Sequence, residues 1–517
     1  MPFETGFVYT SEISTWWNGF LFGADLSRMH TSTFFQLGYL LGELTGFRGS
    51  FVPYQIVFAA LWWARGFLMF LIVRRLLPGQ DLFSYLAGGL ILVHSSDLAT
   101  AWVGQMPQPA YIFWMLAAFY LLVRALDQGS RGLVILAIFC EYISLWTYES
   151  PIVIILLAPL LLFWLRGEMV RRRWAAIGGW YAVPVVYLIV TAVRYIRSSG
   201  HTYQESVLRK DWAIGPILQD WLFNIGASLK FWAWPGGQPA RAPETQLALL
   251  AALSVLVLIG GMLALRASRI PEVRKLFGAL AAGFLLMAFS FPAYLLLDSA
   301  RSLWRTQMLS SIGAALFLSA LIVMCASAVQ ARWLRFGLLA GLSAGVVWCG
   351  SYSALAKSAN HRWLWDRHQQ AMQEVLDVAP KVKPGTLIVL TNVPGGEGDP
   401  FGGDNMWFDM ALRLAYPGTP VAGAYWHQDG KPARGRRPTV DASGRWSLRG
   451  NPLVQEGGAD SILVIQYSDD GRASAAPRLP EFLGFGERAA ALYSPAARIE
   501  SGPPAERAVR RYGLPTR

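Results

Sequence analysis

Apolar residues fall into long runs separated by short polar links through the first two-thirds of the chain. The runs lie near 52–77, 82–98, 108–125, 132–148, 151–166, 175–195, 246–266, 276–297, 304–329 and 335–356. Each approaches the length a helix needs to cross a hydrocarbon core of roughly 30 Å. The pattern predicts an α-helical polytopic membrane protein of about ten spans. Two further stretches are unsuited to crossing. Residues 31–46 (TSTFFQLGYLLGELTG) are apolar but short; in 212–233, Ile214, Ile217, Leu218, Trp221, Leu222, Ile225 and Leu229 recur at helical spacing beside Asp220, Asn224 and Lys230. Both are expected to lie as helices at headgroup level.

Past the last run the period changes. Residues 361–378 (HRWLWDRHQQAMQEVLDV) predict an amphipathic helix, TLIVLTNVP at 386–394 and SILVIQY at 461–467 predict buried strands, and 406–416 predicts a helix between them. These elements fit a small C-terminal α/β or α+β soluble domain. Residues 428–460 and 470–517 are rich in Gly, Pro, Arg and Ala and are expected to be poorly ordered. The expected organisation is an N-terminal segment over 1–50 with an interfacial helix, a multi-span domain over 51–356 and a soluble domain over 357–517.

Composition narrows the class. Hydrophobic residues make up 54% of the 517 positions and charged residues 15%, which excludes a disordered chain or a coiled coil. The net charge of +12 does not point to nucleic acid, because much of it sits in short clusters between apolar runs. Arg74–Arg75, Arg124 with Arg131, Arg166 with Arg171–Arg173, Arg266 with Arg269, Arg274 and Lys275, and Arg332 with Arg335 mark one set of loops. Those loops are cytoplasmic by the positive-inside rule. The intervening links 93–106 and 147–151 carry no Lys or Arg and face outward. Ten spans then place both the N-terminal segment and the soluble domain outside, in the periplasm or the extracellular space of a plasma (inner) membrane protein. An outward N-terminal segment needs a helix to carry it across, so a further transmembrane helix upstream of Met1 is expected; translocation by the first span is the alternative. Cys140, Cys325 and Cys349 all lie in apolar runs, so no disulfide framework or CxxC metal pattern is present.

The polar exceptions gather on the outward links. The N-terminal segment supplies Glu4, Glu12 and Asp25; the outer loops supply His94, Asp97, Gln105, Tyr148, Glu149, Asp298, Arg301 and Arg305. Carboxylates beside guanidinium groups are what a phosphate leaving group and a deprotonated acceptor require. Arg301 and Arg305 share a helix face and are candidates for phosphate binding, against a reading in which Asp298 neutralises the first and the second reaches lipid headgroups. Glu12 is read equally well as a solvated loop acid; Asp25 is read as a cap, and Glu149 has the alternative of an exposed helix end. Asp97 and His94 are candidate acceptor or metal contacts, although a lone His is more often a hydrogen-bonded interface residue. Arg65 and Glu141 fall near the middle of their runs and are expected to pair as a buried ion pair. The glycines of GGEGDPFGG, 395–403, lack the Lys-Ser/Thr of a phosphate loop.

An interfacial helix, a span ending in RRL (74–76), a hairpin with a polar corner in AWVGQMPQPAYIFWMLAAFYLLVRAL (101–126) and LWTYESPIVIILLAPLLL (145–162) together resemble polytopic GT-C-type glycosyltransferases. The likeness covers roughly residues 5–380 and rests on layout. It implies transfer of a sugar from a polyprenyl-phosphate donor to an outward-facing glycan, lipid or protein acceptor, with the lipid tail between spans. It also implies an acidic residue in the first outer loop. There the stretch FVYTSEISTWW (7–17) offers Glu12, where the family has an Asp or paired acids. On this reading Glu12 or Glu149 acts as base, Arg301 and Arg305 hold the donor phosphate, and a divalent cation, Mg or Mn, is a candidate cofactor. A lipid-linked-sugar transporter or flippase using Arg65 and Glu141, and a non-catalytic scaffold derived from the same fold, are the competing readings.

Overall fold

The computed structural model describes residues 30, 33–46, 52–94, 107–197, 209, 212–230, 244–264, 273–296, 303–449, 454–468 and 472–512. The described residues divide into two compact units, one within 5–359 and the other within 360–517. The described helices of the first unit are α1 (Thr33–Thr45), α2 (Val52–Leu76), α3 (Asp81–Leu92), α4 (Pro107–Gln128), α5 (Arg131–Thr147), α6 (Ile152–Arg172) and α7 (Trp174–Arg197). They continue with α8 (Ile214–Lys230), α9 (Glu244–Ala264), α10 (Val273–Ala288), α11 (Pro292–Leu295), α12 (Leu303–Ser327) and α13 (Arg332–Val378).

Seven of these helices are long and apolar enough to cross a membrane. Two of the other three expected spans form shorter helices, α3 with 12 residues and α5 with 17, while α6 has 21 residues and ends in the charged stretch 166–172. Large apolar side chains such as Ile135, Leu256 and Val257 remain exposed on the helix bundle, as suits a surface solvated by lipid tails. The last span does not end near 356. It runs unbroken through the amphipathic segment to Val378, because no Gly or Pro interrupts 351–379.

Small residues set the tightest helix crossings. A Cβ on Gly66 would lie 2.8 Å from the Gly88 carbonyl, and one on Gly88 would lie 2.7 Å from that of Gly66; α2 and α3 therefore meet backbone to backbone. The pair Gly283 and Gly313 does the same for α10 and α12, where a Cβ on Gly313 would come within 2.2 Å of the Met287 nitrogen. Two prolines lie inside helices, Pro159 in α6 and Pro184 in α7. Pro159 has no N–H for the carbonyl four residues back. The indole of Trp180 supplies one instead, donating to the Ile155 oxygen at 2.9 Å.

The second unit is layered around a four-stranded sheet. After β1 (Lys381–Val382), strand β2 (Thr386–Val393) leads through α14 (Asn405–Ala415) to β3 (Val421–His427), which pairs parallel to it. A small antiparallel sheet follows, β4 (Thr439–Val440), β5 (Arg445–Arg449) and β6 (Val454–Gly458). Strand β7 (Ile462–Gln466) then pairs parallel on the other side of β2, and β8 (Ser474–Ala475) closes that edge antiparallel. The chain ends with α15 (Glu487–Leu492), β9 (Ile499–Glu500) paired with β1, and α16 (Glu506–Tyr512).

Alternate residues of β2 face opposite cores. Ile388 and Leu390 pack with Phe408, Met372, Val375 and Tyr512; Leu387 and Val389 pack with Trp446, Leu448 and Phe485. The expectation of poor order over 428–460 and 470–517 is thus corrected for their described residues. Trp446, Phe485 and Tyr512 are few among many Gly and Arg, but each fills a core, and that burial outweighs the composition around it.

Candidate functional site

Several polar side chains of the first unit gather beyond the end of the short helix α3. Twelve residues rise only about 18 Å, so α3 ends at Leu92 inside the bundle with carbonyls that no further turn can satisfy. Arg65, fully buried on α2, answers this. Its Nη2 donates to the Ile91 oxygen at 3.1 Å, its guanidinium lies 3.6 Å from the centroid of the Trp62 ring, and the Trp62 indole donates to the Leu92 oxygen at 3.0 Å. A cation at a helix C-terminus is also favoured by the helix dipole.

The expected Arg65–Glu141 ion pair does not form. Glu141 is fully buried on α5, and neither carboxyl oxygen has a hydrogen-bond partner among the described residues. The arginine is committed to a helix end instead, a partner that charge spacing along the sequence does not reveal.

His94 follows the end of α3. It is buried, and its Nε2 lies 2.9 Å from the Ser228 carbonyl oxygen. The same serine's hydroxyl bonds Gln307 Oε1 and Ser310 Oγ, each at 2.8 Å, while Gln307 Nε2 donates to Asn224 Oδ1 at 3.0 Å. Helix α8, expected to lie at the interface, is therefore bolted to α12 by a polar network that includes His94. His94 is thus a hydrogen-bonded histidine between helices. Arg65 and Lys357 both lie within electrostatic reach of its ring.

Next to Arg65, the N-terminus of α4, the α5–α6 corner and α11 bring together Tyr111, Tyr148, Glu149, Ser150 and Tyr294. Tyr111 stacks on Tyr148 with centroids 5.4 Å apart. The hydroxyls of Tyr111, Ser150 and Tyr294 face one another, with Glu149 and Arg65 in the surrounding field. None of those three hydroxyls has a hydrogen bond of good geometry among the described residues, although all three are buried. The three interact with one another and, with Glu149, form a polar cradle between α4, the α5–α6 corner and α11. A separate apolar cavity lies between α2, α4, α6, α10 and α12, lined by Met69, Met115, Phe119, Ala158, Leu286 and Leu316 among others.

Of the residues singled out in the sequence, the structure brings together Glu149, Arg65 and His94. Glu12, Asp97 and Arg301 lie outside the described residues, as does the side chain of Arg305, whose backbone begins α12. Tyr111, Ser150, Tyr294, Ser228, Gln307 and Lys357 were not singled out. Tyr148-Glu149-Ser150 at a span end was the available signal for Ser150; the others come from five separate helices. Among the described residues, no group of three or more His, Cys, Asp or Glu side chains is placed to hold a metal ion. No family model matches the chain, and no curated protein matches it.

The glycine stretch of the second unit resolves differently from a phosphate loop. Asp399 accepts from the Phe401 nitrogen at 2.7 Å, and Asp404 caps α14 by accepting from the Met406 nitrogen at 2.9 Å. Carboxylates of this stretch thus occupy two of the amides that an anion would otherwise meet, those of Phe401 and Met406.

Proposed function

We propose that the chain is an integral membrane glycosyltransferase that moves a sugar from a polyprenyl-phosphate donor to an outward-facing glycan, lipid or protein acceptor. One observation carries the reading: the buried hydroxyls of Tyr111, Ser150 and Tyr294 face one another beside Glu149, with Arg65 adding positive potential. Hydroxyls and a carboxylate suit a sugar, and cations suit the phosphate that leaves it. In this mechanism Glu149 takes the proton of the acceptor hydroxyl as its oxygen bonds the anomeric carbon. The bond from that carbon to the donor phosphate breaks, and the polyprenyl phosphate departs with the electron pair. Arg301 and Arg305 remain the candidates for holding that phosphate, and Glu12 the alternative base.

The test is transfer of radiolabelled sugar from a polyprenyl-phosphate donor in proteoliposomes. Replacement of Glu149 by Gln is expected to lower the rate about a hundredfold, the ordinary loss of a general base. Tyr294→Phe is expected to lower it about tenfold, the loss of one hydrogen bond to the reacting ligand. Full transfer by Glu149→Gln would remove this site from the reading.

A second reading, a transporter for a lipid-linked sugar, is favoured by Glu141 alone, a buried carboxyl in an apolar helix with no hydrogen-bond partner among the described residues. Loss of sugar translocation in Glu141→Gln with transfer chemistry intact would favour it.

A further inference from the structure

The second unit carries a buried carboxylate–imidazole pair at the end of its sheet where ligands of open parallel sheets bind, beyond the carboxyl ends of the strands. Tyr425 and His427 project from the same face of β3. The Tyr425 hydroxyl lies 3.1 and 3.0 Å from the two oxygens of Asp399, which with the Phe401 amide fixes the carboxylate. Asp399 is 2% exposed at its side chain; His427 is 19% exposed, with Nδ1 3.6 Å from Asp399 Oδ2. Nδ1 is buried and makes no hydrogen bond, so the Nε2 edge of the ring is the part that reaches solvent. A carboxylate behind one nitrogen orients the imidazole and leaves the other to meet a ligand proton.

The adjoining strand is shaped to the same edge. The β2–β3 register shifts between Leu390 and Val393, which brings Val393 opposite His427. The shift centres on Asn392, which adopts φ 64° and ties its Nδ2 to the Tyr467 oxygen at 3.0 Å. Its exposed side chain keeps an acceptor oxygen at the edge. Bulges commonly re-aim side chains beside binding sites.

The electrostatics choose the ligand class. An anion would face the Asp399 carboxylate behind the imidazole, and the Phe401 and Met406 amides are already taken by Asp399 and Asp404. We infer that the edge formed by Asn392, His427 and Asp399 binds a neutral, hydroxyl-bearing ligand of the saccharide class, with His427 as its principal hydrogen-bonding group.

The experiment uses the full chain in phosphatidylcholine nanodiscs, with diethyl pyrocarbonate modification of His427 followed by peptide mass spectrometry. Disaccharides of glucose, mannose, galactose and N-acetylglucosamine are added in turn, with inorganic phosphate as the competing arm. At least one saccharide is expected to slow modification of His427, leaving His361 unaffected, and phosphate is expected not to. The His427→Gln variant should bind the protecting saccharide about tenfold more weakly by calorimetry, the loss of one hydrogen bond to a polar partner. Absence of protection by every saccharide, protection by phosphate, or unchanged affinity in His427→Gln each overturns the inference. If His427→Gln does not fold, the wild-type footprint alone decides between these outcomes.

Discussion

The Arg65 guanidinium donates to the Ile91 carbonyl at 3.1 Å, capping from the middle of one helix the end of another. The bond is one part of what holds this buried cation, and it predicts opposite behaviour for two charges expected to pair. Arg65→Met should destabilise the protein by about 1–3 kcal/mol, since it leaves a buried carbonyl unsatisfied. Glu141→Gln should leave stability unchanged or raise it, because nothing positive is lost. If instead the two were a buried pair, removing either would cost about 3–5 kcal/mol. Thermal unfolding of both variants in one detergent separates the cases, and a large loss in Glu141→Gln would refute the helix-end account.

The bond from Trp180 to the Ile155 oxygen, at 2.9 Å, repairs the gap left by Pro159. Trp180→Phe keeps most of the ring volume and removes only the donor. It should cost about 1–3 kcal/mol, the desolvation of an orphaned acceptor. In Trp180→Phe combined with Pro159→Ala, the restored backbone N–H should recover much of that loss. A double-mutant cycle in thermal unfolding measures the coupling; additive effects would show that the indole is not the proline's compensation.

The membrane class was legible because runs such as 52–77 state their length and apolarity directly, and the strands at 386–394 and 461–467 were legible because both faces of that sheet are buried. Glu149 could be named because a charge beside a span end is conspicuous. Tyr111 and Tyr294 could not, because tyrosines at span ends are ordinary interfacial residues until the fold turns their hydroxyls toward one another. Nor could His427, whose partner Asp399 is brought to it by a crossover. Arg65 was conspicuous, yet its partner is a backbone carbonyl, which no residue type announces.

The tail of the chain offers a test of order against composition. Tyr512 is fully buried, its hydroxyl donating to the Ala411 oxygen at 3.4 Å while its own carbonyl accepts from Gln373 Nε2. Tyr512→Ala removes a buried aromatic ring and should destabilise the second unit by about 3–5 kcal/mol. Limited proteolysis is the direct measure: the variant should be cut within 386–466 where the wild type resists. Equal resistance would mean that the C-terminal helix contributes nothing to that core.

Asp399 gives the second unit an unusual pH dependence. Burial is the leading influence on its carboxyl and raises its pKa above the ordinary 3.8, against lowering contributions from the Phe401 amide, Tyr425 and His427. The folded state therefore holds a proton that the unfolded chain has released, and stability from this group is fully present below the unfolded pKa. It declines as pH rises from there through the folded value, the reverse of an ordinary ion-paired aspartate. Asn in place of Asp399 cannot ionise and should flatten the decline over that window. Hydrogen exchange of the β2 and β3 amides, followed upward from pH 4 in the wild type and in Asp399→Asn, reads this contribution. A wild-type stability that rises more steeply than the variant's over the same range would reverse the assigned direction.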